Sequence, residues 1–348
     1  MSRAILSRTI LGVLLIAALV AACGGPADEA PAASSAAEAR AAADARPISV
    51  VTTVAPLRSI VENVAGDRAA VAALVPEGVN SHTFEPPPSA ALSLAEADLI
   101  VLNGLSLELP TLELARANAP KGRILLLGDN TVSADKYVFD FSFPAAGGAP
   151  NPHLWTDPIL SVRYAELVRD ALSRIDPDAT GYYADNFARF RDQLTALDAA
   201  IAEATATIPP DSRKLLTYHD SFPYFAPRYG FEVIGAVQPS DFSEPSPREV
   251  AELVRQIRDA AVPAIFGSEV FPSEVLQVIA REAGAVQVST LRDDDLPGAP
   301  GDPDNTLVAM MVENVRTMTT ALGGDASALD GFDVADTWGS FAEYEERA

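Results

Sequence analysis

Residues 177–208 read PDATGYYADNFARFRDQLTALDAAIAEATATI, with a single internal glycine at Gly181 and no proline between Pro177 and Pro209. A run this free of breakers predicts one long helix. Tyr182, Phe187, Phe190, Leu194, Leu197 and Ile201 fall at steps of five, three, four, three and four, which puts them along one face at helical period. Thirty helical residues span about 45 Å at 1.5 Å per residue. The helix could belong wholly to one half of the chain, but that length exceeds what one small sheet covers. The reading adopted is a stiff connector, Pro177–Ile208, packed against two bodies.

Outward from the helix, both flanks alternate short apolar runs with helix-like stretches, the pattern of parallel sheets covered by helices. On the amino side Ile48–Ala55, Ala69–Val75, Asp98–Asn103 and Ile124–Leu127 read as strands, with helices near Leu57–Ala65, Ser89–Ala97 and Glu108–Asn118. On the carboxyl side the strands are Lys214–Tyr218, Phe231–Val237, Pro263–Gly267 and Val286–Thr290. Helices are expected there near Phe222–Tyr229, Pro247–Ala260, Pro272–Ala283 and Asn305–Leu322. The expected fold class is α/β: two lobes, 47–176 and 209–324, each a mainly parallel four-stranded sheet with flanking helices, joined by one long rigid helix.

The first 46 residues set the compartment. Arg3 and Arg8 precede an apolar run, Ile10 to Val20, that is too short to span a bilayer comfortably, and Val20-Ala21-Ala22-Cys23 ends it with small residues. That arrangement predicts a lipoprotein signal peptide over 1–22, removed to leave a lipidated Cys23, the chain's single cysteine. The competing reading is an ordinary cleaved signal with an incidental cysteine. Residues 24–46 are alanine-dominated and lack aromatics, as expected of a tether, which would hold the folded part roughly 25 Å from the anchor. The formal charge of -23 becomes -25 once the leader's two arginines are removed. So acidic a chain is not expected to bind nucleic acid.

There are three histidines, His82, His153 and His219. Each sits where a strand or helix should begin or end. His219 follows the strand Lys214–Tyr218, at the carboxyl end where open α/β sheets place ligands. His82 lies in the loop after Ala69–Val75, Asp293, Asp294 and Asp295 follow Val286–Thr290, and Glu269 follows Pro263–Gly267. His153 precedes Trp155 and the Asp157-Pro158 pair that should start a helix. A lone histidine is usually a hydrogen-bonded core residue; three at element ends, with carboxylates close by, point to metal binding.

Several ordered segments carry a resemblance. They are Leu74-Val75-Pro76-Glu77-Gly78 before Ser81-His82-Thr83-Phe84-Glu85-Pro86; Ala97-Asp98-Leu99-Ile100 before Asn103-Gly104-Leu105 and Glu108; and Pro152-His153-Leu154-Trp155. Beyond the long helix come His219-Asp220-Ser221-Phe222 with Tyr224-Phe225, then Phe266 with Glu269, and Leu291 to Leu296 followed by Met310-Met311 and Asn314-Val315. From Ile48 to about Gly324 the chain resembles the cluster A-I metal-binding lipoproteins, the solute-binding components of bacterial ABC importers for zinc and manganese. The resemblance implies two lobes with a metal ion between them, held by His82, His153, His219 and an aspartate. The family pattern of leucine, two residues, aspartate, one residue, leucine selects Asp294, leaving Asp293 and Asp295 as loop charges, helix-capping acids or orienting partners. Glu269, Asn80 and Trp155 are expected behind the ligands, orienting them. Asn80 and Asn151 stand where the family often has aspartate, and Leu307 replaces a frequent tyrosine.

Three imidazoles and one carboxylate suit four-coordinate Zn(II); Mn(II) is the alternative. The implied partners are a divalent metal ion, an ABC permease with its ATPase, and the membrane through the lipid on Cys23, with the protein acting as an extracytoplasmic monomer. A zinc hydrolase would need an open coordination position and a base such as Glu269. The chain contains no His-Glu-x-x-His helix and no Gly-x-Ser-x-Gly elbow. A metal-stabilised adhesin lipoprotein would share every motif. The acidic extension 325–348 is expected to lay its aromatics, Phe332, Trp338, Phe341 and Tyr344, onto the second lobe.

Overall fold

The computed structural model describes residues 46–120, 122–270 and 273–338, so the signal peptide, Cys23 and the tether lie outside the described residues. The first sheet holds β1 (Ile48–Thr52), β2 (Ala69–Ala73), β3 (Leu99–Leu102) and β4 (Ile124–Leu126) in the order β2-β1-β3-β4. The second holds β5 (Lys214–Thr217), β6 (Glu232–Ala236), β7 (Ala264–Ser268) and β8 (Val286–Leu291) in the order β6-β5-β7-β8. All pairings are parallel. The central strands β3 and β7 are buried along their whole length, which is why they read as unbroken aliphatic runs, while the edge strand β2 alternates.

The flanking helices of the first lobe are α1 (Ala55–Ala65), α2 (Ala90–Glu96), α3 (Leu109–Asn118) and α4 (Pro158–Ile175). After α5 (Thr180–Ala206) come α6 (Phe225–Arg228), α7 (Pro247–Asp259), α8 (Glu274–Ala283) and α9 (Leu307–Ala321). Starts follow the sequence closely. Asp157 Oδ1 accepts from the amides of Ile159 and Leu160 with Pro158 at the first position of α4, and Ser246 and Glu249 form a capping box on α7. The helix expected over Phe222–Tyr229 is only one turn, α6. Pro223 biases Phe222 away from helical geometry, and Pro227 lacks the amide that an extended helix would need.

The long helix α5 has 27 residues, about 40 Å, with a single 3₁₀ turn, Pro177–Ala179, leading into it. Its buried face begins at Tyr183, not Tyr182. Tyr183, Phe187, Phe190, Leu194, Leu197 and Ile201 then step by four and three without the irregular five. Tyr182 packs half-buried at the edge of that core, and its hydroxyl donates to Asp67 Oδ1. Helix α5 packs against α1 and α4 of the first lobe and against α9 of the second. One continuous apolar core results, running from Val50 and Ile60 through Phe190 and Leu197 to Met310 and Met318. Smaller clusters cover the outer sheet faces, around Leu94 and Leu112 in one lobe and Leu253 and Ile279 in the other.

The carboxyl-terminal segment runs differently from the expectation. Phe332 does pack on the central core, but the chain then crosses to the first lobe. Thr306 Oγ1 donates to the Val334 carbonyl, Gln193 Nε2 to the carbonyls of Asp333 and Ala335, and Asn63 Nδ2 to Asp336 Oδ1. It thereby ties α1, α5 and the start of α9 together. Phe341 and Tyr344 lie outside the described residues.

Candidate metal centre

The carboxyl ends of both sheets face one cleft, and the loops there bring His82, His153 and His219 together. Their Nε2 atoms form a triangle with edges of 3.3 Å (His82 to His153), 3.1 Å (His82 to His219) and 3.1 Å (His153 to His219). A tetrahedral Zn(II) site with Zn–N bonds of about 2.0–2.1 Å has ligand–ligand edges of about 3.3 Å. The triangle is therefore close to one face of such a tetrahedron.

The protons of two rings are fixed from behind. His153 Nδ1 lies 2.7 Å from Asn151 Oδ1, and His219 Nδ1 lies 2.6 Å from Gln238 Oε1. The amide orientations are set independently, because Asn151 Nδ2 donates to the Asp220 carbonyl at 2.7 Å and Gln238 Nε2 to the Phe242 carbonyl at 3.3 Å. Each Nδ1 must then carry the proton, leaving a bare lone pair on Nε2. Burial lowers the pKa of all three imidazoles, that of His219 to about 4; mutual repulsion lowers those of His82 and His153 further. Lone pairs packed this closely repel one another unless a cation joins them.

Two carboxylates complete the cleft. Asp293 Oδ2 is buried without a hydrogen-bond partner, 3.5 Å from His219 Nε2 and 3.8 Å from His153 Nε2. Asp294 Oδ2 accepts from Ser81 Oγ at 2.5 Å, and its Oδ1 is also buried without a partner. His153, Asp293 and Asp294 offer ligand atoms within 4.8 Å of one another. The single carboxylate selected by the sequence pattern, Asp294, is thus accompanied by Asp293, which comes closer to two of the histidines. Neither is a solvated loop charge. Burial raises both carboxyls, that of Asp294 to about 7, with the neighbouring Glu269 adding repulsion.

Glu269, Trp155 and Asn80 each hydrogen-bond the backbone of these loops. Glu269 Oε1 accepts from the backbone amides of Asp293, Asp294 and Asp295 at 2.8, 3.1 and 3.2 Å, a nest that shapes the aspartate turn. Trp155 Nε1 donates to the Asp293 carbonyl at 2.7 Å, joining the two lobes beside the site. Asn80 Oδ1 accepts from the His82 amide and so shapes the backbone rather than the ring. Gln238 and Ser81 were not singled out from the sequence for these roles. Gln238 lies two residues past β6, at the same sheet end as the histidines, and that position is the signal that could have found it. The open side of the triangle is lined by Phe143 and by Phe242, which stacks on His82 at 4.5 Å.

Two parallel α/β lobes around a shared core, with a chelating cleft between their strand ends, define a two-lobed solute-binding protein for a metal ion. Residues 50–321 match the family model described as zinc-uptake complex component A, periplasmic, and the chain belongs to that family. Its members are substrate-binding proteins of metal ABC transporters, not enzymes. The manganese-binding lipoprotein MntA of Halalkalibacterium halodurans is 26% identical over 317 residues, 89% of this chain and 96% of that protein. The iron-binding protein YfeA of Yersinia pestis is 28% identical over 279 residues, 80% and 88%. The zinc-binding protein TroA of Treponema pallidum is 30% identical over 292 residues, 81% and 91%. The solved structure of TroA superposes with a TM-score of 0.72, covering 79% of this chain and 99% of that one.

Proposed function

We propose that this chain captures one divalent transition-metal ion between its lobes and hands it to an ABC permease, with Zn(II) the preferred cargo. The ligands in this reading are His82, His153 and His219, closed by the carboxylate pair Asp294 and Asp293. The observation that carries it is the convergence of three Nε2 atoms in one cleft, two with their lone pairs fixed by amide acceptors behind the rings. Glu269, Asn80 and Trp155 hold the ligand loops. The family match and the MntA, YfeA and TroA likenesses support metal cargo of this class.

Residues 47–176 and 209–324 act as the two lobes and 177–208 as a stiff connector in this reading. Residues 1–46 supply the leader, the lipidated Cys23 and the tether of an extracytoplasmic, membrane-anchored monomer. Among the described residues no helix is long and apolar enough to cross a membrane. Mn(II) is a second reading, favoured by the second carboxylate, because added oxygen ligands suit Mn(II) better than a purely imidazole-rich site. Metal content of the protein purified without added metal, followed by competition between Zn(II) and Mn(II), tests both. Retention of neither ion defeats the proposal, and a Mn(II)-loaded protein that Zn(II) fails to displace reverses the order.

A further inference from the structure

Glu108 is a carboxyl only 3% exposed; among the described residues its hydrogen bonds come from neutral donors, and the metal centre makes no use of it. Burial pushes it up to about 7, so keeping it there is expensive. Its hydrogen bonds show what it holds. Oε1 accepts from Thr53 Oγ1 at 3.0 Å and from the Asn103 amide at 2.6 Å; Oε2 accepts from the Gly104 amide at 3.1 Å. These donors lie just past the carboxyl ends of β1 and β3, the two strands between which the sheet order reverses.

Asn103, itself fully buried, passes the constraint on. Its Nδ2 donates to the Pro152 carbonyl at 3.0 Å, and its Oδ1 accepts from the Tyr164 hydroxyl at 2.5 Å. Pro152 immediately precedes His153. Glu108 also closes a loop in which Leu105 and Ser106 have φ of 51° and 68°, left-handed values unfavourable for side chains of either kind. Leu105, Ser106 and Leu107 line a cavity of about 220 Å³ together with His82, Phe143 and Phe242. The same carboxyl therefore braces the backbone under one imidazole and one wall of the approach to another.

We propose that Glu108 is a positioning residue for the metal centre: through Asn103 it fixes the Pro152 carbonyl and so the His153 ring, and it holds the strained Leu105–Leu107 loop against the cleft. This rests on the metal-centre reading above. Loss of partners that orient metal ligands weakens metal binding by about 10–100-fold. Co(II), whose visible absorption reports coordination geometry, is the probe, titrated into full-chain Glu108→Ala, Glu108→Gln and wild-type protein. A control, Glu62→Ala, removes a part-buried carboxyl from α1 of the same lobe.

Glu108→Ala is expected to lose about 10–100-fold in Co(II) affinity and to alter the Co(II) spectrum. Glu108→Gln keeps one acceptor oxygen but sets an amide NH₂ where a second acceptor is needed, and should fall between. Glu62→Ala should leave the spectrum unchanged even if it melts earlier. A folded Glu108→Ala with wild-type affinity and spectrum overturns the proposal, as does an equal spectral change in Glu62→Ala. If the alanine variant does not fold, an unchanged spectrum in the near-isosteric Glu108→Gln overturns it instead. A wild-type protein that takes up no Co(II) brings down the metal-centre reading itself, and this proposal with it.

Discussion

Replacing Gln238 with methionine should weaken metal binding without removing a ligand. The Gln238 Oε1 acceptor lies 2.6 Å from His219 Nδ1 and holds the proton on that nitrogen. Methionine fills a similar volume and accepts only weakly, leaving a buried N–H unpaired. That costs about 1–3 kcal/mol unless the ring moves its proton to Nε2. The metal-free ring can escape that cost by moving its proton to Nε2, whereas the loaded ring cannot, because Nε2 must then coordinate, so the cost falls on the loaded state. At about 1.4 kcal/mol per factor of ten, the expected loss is about 5–150-fold. Competition against a chromophoric chelator gives the affinity, and ¹⁵N chemical shifts of the His219 ring give the tautomer. Wild-type affinity together with an unchanged Nδ1-protonated ring would show that the tautomer is not set by Gln238, and the reasoning fails.

Asp293→Asn and Asp294→Asn should each weaken binding by about tenfold or more, whereas Asp295→Asn, whose carboxylate accepts from the Gly78 amide, should do less. A loss confined to Asp294, read by the same competition, would restore the single-carboxylate ligand set. Acid should act first through the carboxyls, because Asp294 titrates at about 7 in the metal-free protein while His219 stays neutral to about 4. Binding should therefore weaken as pH falls towards and below neutrality with proton release on loading, measured by calorimetry in buffers of different ionisation enthalpy; a proton release that survives unchanged in Asp294→Asn contradicts this. For metal-free stability the signs oppose. The lowered histidine values remove stability as pH falls from 6.5 towards 4, and the raised carboxyl values remove it as pH rises from 3.8 through 7, so stabilisation by metal should be greatest above 7. Because one core runs through both lobes and α5, X-ray scattering of metal-free and loaded protein should give near-identical profiles, and a large fall in radius of gyration on loading would refute the stiff connector.

Much of this architecture was legible because local and tertiary signals agreed. The aliphatic runs of β3 and β7 mark strands buried on both faces, and α5 lacks any breaker after Gly181. The three histidines stood out by scarcity and by position at strand and helix ends. Other features depended on tertiary detail. Three consecutive aspartates give no periodic hint of which side chain turns inward; that depends on the nest around Glu269 and on the Trp155 anchor. The role of Gln238 exists only once β6 and β5 lie side by side. The path of the carboxyl-terminal segment to Asn63 joins residues 273 apart in sequence, which composition could not reveal. Ordinary imidazole values would put the loss of binding near pH 6, which is all that sequence can offer, whereas burial moves those values well down.

The central claim is that one ion sits on the three histidines. Native mass spectrometry of the protein lacking its first 46 residues, stripped of metal and titrated with Zn(II), tests it most directly when run beside His82→Ala, His153→Ala and His219→Ala. The account predicts a single Zn(II) per chain in the parent protein, retained at sub-stoichiometric competitor, and loss of that tightly held ion in each variant. Zn(II) bound as tightly by any of the three variants as by the parent, or no bound ion in the parent, would contradict it.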